Sequence, residues 1–129
     1  MEKLKTSQLK YPEMRKELID YLHGLSDREY QQRAWVEGRR PGGGHDELDY
    51  AVHFLFDDTD LASEPASLIG WILTGKDEAD AVANVVGALD IVFDKYGTGL
   101  EDREYLVKDE WDDVLFMAKN AKEVLLSSH

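Results

Sequence analysis

The 129-residue sequence contains no cysteine, which removes disulfides, thiolate metal ligands and cysteine nucleophiles together. It also lacks any apolar run approaching the roughly 18 residues a membrane span requires. The opening MEKLKTSQLKYPE has no apolar core of the kind a signal peptide carries. Both absences point to a soluble, cytoplasmic protein without a membrane partner. A third absence is local: no lysine or arginine lies between His45 and Gly75, while Asp46, Glu47, Asp49, Asp57, Asp58, Asp60 and Glu64 all fall there. Strand-length runs of alternating polarity are missing as well, so at most a short hairpin is expected.

The charge that is present is strongly acidic, with a formal net of −12. It is also unevenly placed. Residues 1–43 carry nine Lys/Arg and seven Asp/Glu, a net of +2, whereas residues 44–129 carry six and twenty, a net of −14. Such a surface repels phosphate backbones, so nucleic acid is excluded as a direct ligand and a basic protein is favoured. Solubility alone is the other use of an acidic surface.

Length and a hydrophobic content of 43% suit one domain over residues 1–129, with residues 1–10 as a frayed arm. The periodicity predicts an all-α, compact bundle of five or six helices. Met14, Leu18, Leu22 and Leu25 place a first helix over Tyr11–Gly24, with Gly24 as its stop. Ser26 and Glu29 form a capping box for a second helix through Tyr30, Ala34 and Trp35. After the glycine-rich break, Asp46 and Asp49 cap a third helix with a buried stripe of Leu48, Val52, Leu55 and Phe56. Ser63 and Pro65 open a fourth carrying Leu68, Ile69, Ile72 and Leu73, closed by Gly75. The fifth, Asp77–Tyr96, is apolar nearly all round and is expected at the centre, with Gly87 allowing a close neighbour. An irregular acidic loop, LEDREYLVK, leads to a last helix capped by Asp109 and Asp112 and bearing Trp111, Val114, Leu115, Ala118, Ala121 and Leu125.

The stretch GRRPGGGHDELDYAVHFLFDDTDL, residues 38–61, concentrates the candidate chemistry. Its glycines do not make a phosphate loop, because no Lys-Ser/Thr follows, and Asp46, Glu47 and Asp49 already occupy the helix's positive end. A flexible helix connection accounts for them. His45, Asp49, His53 and Asp57 recur every four residues, a spacing that could line up metal ligands on one helical face. Asp49, His53 and Asp57 therefore define an alternative, a small metal-dependent enzyme or sensor. However, His45 precedes the expected N-cap and no H-E-x-x-H occurs. FDDTDL has neither the glycine nor the closing glutamate of an EF-hand loop. With no G-x-S-x-G elbow and no histidine beside a nucleophile, neither catalysis nor a cofactor or metal is expected.

What remains is a docking surface. Tyr50 and Phe54 lie off the expected buried stripe, near Glu47 and Asp58, and an aromatic anchor ringed by acids has the composition of a protein-binding hot spot. A second helix neighbour would bury Phe54 instead. The expected partner-binding set is Tyr50, Phe54, Asp57, Asp58, Asp60 and Glu64, with the acids of residues 101–113 as a second contact.

The segments YPEMRKELIDYLHGLSDREYQQRAW (11–35), HFLFDDTDL (53–61) and DEADAVANVVGALD (77–90) resemble a family of small acidic bacterial proteins, some of which accompany polymorphic toxins. That resemblance covers residues 11–125. In size, charge and lack of catalytic residues the chain is also similar to the immunity proteins of contact-dependent growth-inhibition systems. The resemblance implies a cytoplasmic protein that binds a cognate toxin domain, often a nuclease, and blocks its active site or substrate channel. A general regulatory adaptor would differ from it only in its partner.

Overall fold

The computed structural model describes residues 3–128, and over them the chain is an all-α bundle. Helix α1 spans Pro12–Ser26, and α2 spans Arg28–Tyr30 and continues as a π-helical turn over Gln31–Val36. Helix α3, Leu48–His53, likewise runs into a π turn, Phe54–Asp58. The long α4 covers Lys76–Tyr96, followed by the short α5, Asp102–Tyr105, and by α6, Trp111–Leu126. Short 3-10 turns occur at Thr6–Gln8 and Pro65–Leu68. Among the described residues there is no strand, only an isolated bridge between Ile69 and Leu73, and no helix is long and apolar enough to cross a membrane.

The expected central helix is not α4. Its outer face exposes Asp80, Ala83, Asn84, Gly87, Asp90, Ile91 and Asp94, so it is amphipathic. Helix α6 instead packs on both α1 and α4. Its buried stripe, Trp111, Val114, Ala118, Ala121 and Leu125, has alanines where the neighbouring helices must approach. An aromatic seam extends this core: Trp35 meets Trp111 edge-on at 6.3 Å, Trp111 stacks with Tyr105 at 6.4 Å, and Tyr105 meets Phe93 edge-on at 5.7 Å. Polar ends inside the seam are satisfied. Trp111 Nε1 donates to Gln31 Oε1, Gln31 Nε2 donates to the Gly24 carbonyl, and the Tyr105 hydroxyl donates to the Gly97 carbonyl.

Several local expectations are revised by tertiary contacts. Gly24 does not stop α1. It lies buried within the helix, where an added Cβ would come within 3.3 Å of the Tyr30 ring. Ser26 ends α1 and donates to the His23 carbonyl, so Asp27 caps α2 by accepting from Tyr30 N–H at 3.0 Å. The fourth helix is a single 3-10 turn, because Gly70 takes φ +95 and breaks it before Ile72 and Leu73, which are nonetheless buried. The loop at 100–108 contains α5 and buries Tyr105 and Leu106. Helix α6 begins without a side-chain cap from Asp109 or Asp112.

The N-terminal arm is not frayed over residues 3–10; Met1 and Glu2 lie outside the described residues. Leu4 N–H donates to the Thr74 carbonyl, Lys10 N–H to that of Gly70 and Tyr11 N–H to that of Trp71. Leu9 is buried, and Lys10 lies over the Trp71 ring at 4.5 Å. The arm therefore covers backbone at 70–74 that would otherwise lack partners.

A buried ion pair joins these parts. Arg15 Nη1 and Nη2 grip Glu78 Oε1 and Oε2 at 2.7 and 2.8 Å. The same guanidinium donates to the carbonyls of Ile72 and Leu125, both at 3.0 Å. Glu78 also accepts from Thr74 N–H at 2.8 Å and from Ser128 Oγ at 2.5 Å. Burial raises the Glu78 carboxyl, but the Arg15, Ser128 and Thr74 hydrogen bonds outweigh it and hold the group down to about 2, against 4.5 in a free chain.

Because the folded Glu78 binds its proton less readily than the unfolded one, its contribution is full above pH 4.5 and is lost as pH falls towards 2, by about 3 kcal/mol. Urea unfolding between pH 6 and pH 2 should show that loss, Arg15→Met alone should cost about 3–5 kcal/mol at neutral pH, and Arg15→Met with Glu78→Met should recover most of it. Gly87 meets no expected neighbour: an added Cβ touches nothing within 4 Å. Gly87→Ala should therefore raise stability by about 0.5–1 kcal/mol in the same assay.

Candidate functional site

Helix α3 and the loop before it carry the candidate residues. The loop leaves α2 through Gly38 and turns at Gly42, Gly43 and Gly44, whose φ values of +86, +89 and +80 exclude most side chains. Asp46 then leads back into the fold, but not as the cap of α3. Its Oδ2 accepts from the Tyr30 hydroxyl at 2.6 Å and from Trp35 Nε1 at 3.0 Å, which fixes the loop's end against α2. The cap comes from far along the chain: Asp102 Oδ2 accepts from Leu48 N–H at 3.0 Å. Burial pushes the Asp102 carboxyl up, the Leu48 bond opposes it, and Asp49, Glu47 and Asp46 add to the rise by like-charge repulsion.

The expected anchor Phe54 is buried, at 3% exposure, and packs on Tyr21 of α1 with ring centroids 5.0 Å apart. The buried set of α3 is Leu48, Ala51, Phe54 and Leu55, while Val52 and Phe56 are only partly covered. Two effects cause the change: α1 supplies a second neighbour, and the π turn from Phe54 rotates the following residues relative to an α-helical register. Tyr50, at 42% exposure, stays on the surface with its ring edge-on to His45.

The acids divide into two groups. Asp57 is held by His53 Nδ1 at 2.6 Å, and His45 Nε2 lies 3.1 Å from Glu47. Each histidine thus has its own carboxylate, and His45 lies before α3 begins. The four-residue ladder is not assembled, and among the described residues no group of three or more His, Asp or Glu is arranged to hold a metal ion. In the 101–113 segment, Glu104 accepts from Glu101 N–H, Arg103 pairs with Glu101, Glu110 accepts from Tyr96 and Lys95, and Asp112 pairs with Arg28. Together with Asp102, these acids have partners within the fold, while the exposed carboxylates of Asp109 and Asp113 make no hydrogen bond or ion pair with any described residue. By contrast, Asp58, Asp60 and Glu64 are exposed, and their carboxylates make no hydrogen bond or ion pair with any described residue. The end of α3 tolerates them because its carbonyls are already engaged, Phe54 by Thr59 Oγ1 and Leu55 by Ala62 N–H.

Three helices and a loop converge beside this patch. Glu17, Asp20 and Tyr21 of α1, Tyr30 of α2, Arg40, His45 and Asp46 of the loop, and Tyr50 of α3 line a groove of about 260 Å³. Burial raises the Tyr21 phenol, and Glu17, Asp46, Asp58 and Tyr50 raise it further, so Tyr50 and Asp58 do share one acidic locality. Glu17, Asp20, Tyr21, Tyr30 and Asp46 were not among the expected contacts. The spacing of Glu17, Asp20 and Tyr21, on the helix face beside Leu18, Leu22 and Leu25, was the available signal. What sequence reading lacked was the pairing of α1 with α3.

The profile of a protein family described as Domain of unknown function (DUF7945) matches residues 9–129. The chain belongs to that family. No curated protein and no solved structure matches it. The DUF7945 match spans all six helices and every residue lining the groove. Its description carries no activity, so a functional reading rests on the chemistry of the surface.

The remote cap makes a clean test. Asp102→Asn keeps an acceptor for Leu48 N–H and removes the repulsion, so it should raise stability at neutral pH. Because a raised folded pKa means that protonation favours the fold, that advantage should shrink as pH falls through the carboxylate range. Asp102→Ala should instead cost about 1 kcal/mol, as cap removal does. Thermal unfolding of the two variants at pH 7 and pH 4 distinguishes them.

Proposed function

We propose that this protein is a cytoplasmic immunity protein that binds a cognate toxin domain with a basic surface, a nuclease by preference, and occludes its active site. One observation carries the reading: carboxylates without internal partners gather around exposed Tyr50. Glu17 and Asp20 lie at the groove, Asp58 acts on its Tyr21, and Asp60 and Glu64 follow in the segment after α3, none with its carboxylate in a hydrogen bond or ion pair to any described residue. Unpaired negative charge repels itself and contributes nothing to the fold, so its concentration on one side favours a positive partner. A nuclease cleft, built to attract phosphate, presents such a partner. Binding by occlusion needs no catalytic group. Relative to the expected contact set, Tyr50, Asp58, Asp60 and Glu64 are kept, Phe54 becomes part of the support, Asp57 is set aside because His53 already holds it, and Glu17 and Asp20 are added.

Isothermal titration against the purified domain encoded beside this protein should give a Kd on the order of nanomolar, weakening as salt is raised. Charge reversal by Asp20→Lys with Asp58→Lys should weaken it by roughly tenfold or more, chiefly through slower association. Affinity that ignores both salt and charge reversal would rule out the electrostatic surface. No binding at either salt would remove that domain as the partner.

A further inference from the structure

We propose that the groove between α1, α2 and α3 receives one arginine side chain from the protein partner, and that Arg40 of the glycine-rich loop holds the position until that arginine displaces it. That a protein supplies the arginine rests on the function proposed above; that the groove selects a guanidinium rests on the groove's own chemistry.

The floor is pre-organised. Tyr30 is fixed by its hydrogen bond to Asp46, which Trp35 also holds. The rim is open: the Glu17 and Asp20 carboxylates have no hydrogen-bond or ion-pair partner among the described residues, and Tyr50 presents an exposed ring. Such a set offers acceptors for several N–H donors beside aromatic faces. A planar guanidinium can lie against a tyrosine ring and bridge two carboxylates, whereas a compact ammonium can do only one of these at a time. At about 260 Å³ the groove falls below the size at which drug-sized ligand sites begin, about 300 Å³, and suits a single long side chain.

Arg40 already demonstrates the fit, and its seat is loose. It lines the groove, where its guanidinium is drawn to the Tyr30 hydroxyl, and it donates to the carbonyl of Gly43, in its own loop, at 3.3 Å. No carboxylate of a described residue lies within ion-pair distance of it. Asp20 and Asp46 still act on it at longer range and, with Tyr30 first, favour its charged form. The loop that carries it is open to solvent at Gly42 and Gly43, where an added Cβ would touch nothing within 4 Å. A partner's arginine that reaches Glu17 and Asp20 directly would therefore exchange a weakly held cation for a better-held one.

The test uses the full chain and two short capped probes, Gly-Arg-Gly and Gly-Lys-Gly, titrated while the ring signals of Tyr21, Tyr30 and Tyr50 are followed by NMR. The arginine probe should shift these rings and bind more tightly than the lysine probe. Arg40→Gln should tighten arginine binding by about threefold, and Glu17→Gln with Asp20→Asn should weaken it by at least as much. Lys119→Gln, and Asp90→Asn with Asp94→Asn, equal changes of charge on exposed positions of α6 and α4, should change it little. Equal responses to groove and control substitutions, or to the two probes, would overturn the inference in favour of diffuse charge attraction. The same variants in the toxin titration separate the two readings. Cognate binding that ignores Arg40→Gln keeps the partner and discards the arginine seat. Arginine binding in the groove with no cognate complex keeps the seat and discards the toxin.

Discussion

The buried pairing of Arg15 with Glu78 is the constraint on which the rest depends. Two charges removed from water are tolerated only when strong hydrogen-bond partners surround them, and here those partners come from four separate parts of the chain: α1, the 72–74 segment, the start of α4 and the end of α6. The pair therefore sets which end of each helix meets which. With α1 and α4 held at their ends, α6 packs against both, and its alanines permit the approach. The N-terminal arm then finds an exposed backbone edge at 70–74 and pairs with it.

Position along α1 also decides the surface. The same helix that buries Arg15, Leu18 and Leu22 turns Glu17, Asp20 and Tyr21 towards α3, where Tyr21 covers Phe54. One helix thus supplies both the deepest charge pair and one wall of the acidic groove. The excess of negative charge is sorted by geometry. Glu78, Asp46, Asp27, Asp102 and Glu110 each satisfy particular donors and hold elements together. Among those left without a donor, Glu17, Asp20, Asp58, Asp60 and Glu64 lie on α1 beside α3 or in the stretch from His45 to Gly75, which has no lysine or arginine, whereas Asp90, Asp94, Asp109 and Asp113 are exposed without one elsewhere on the bundle. An acid that caps or bridges is already neutralised locally, and one that does neither remains available to a partner.

Much of this was legible in the residues alone. Apolar spacing located α1, α4 and α6 to within a few positions, because each buries a stripe long enough to be read without knowing its neighbour. The acidic surface and the exposure of Tyr50 were legible for the same reason: charge and local helix phase are properties of the segment itself. Phe54 was not, since its burial depends on Tyr21 arriving from another helix. Nor was the cap of α3 by Asp102, 54 residues away in sequence, where local reasoning nominated Asp46 and Asp49.

The sequence by itself determined the helical class, the acidic balance and which stretches lack a counter-charge, since these follow from composition and from periodicity over a few turns. Only the tertiary structure decided which acids are used up inside the fold, which helix lies between the others and which side chains from α1, the loop and α3 share one groove. Those outcomes depend on distances between residues far apart in the chain, and hydrogen bonds and ion pairs lose their strength within a few ångströms, so no local pattern can encode them.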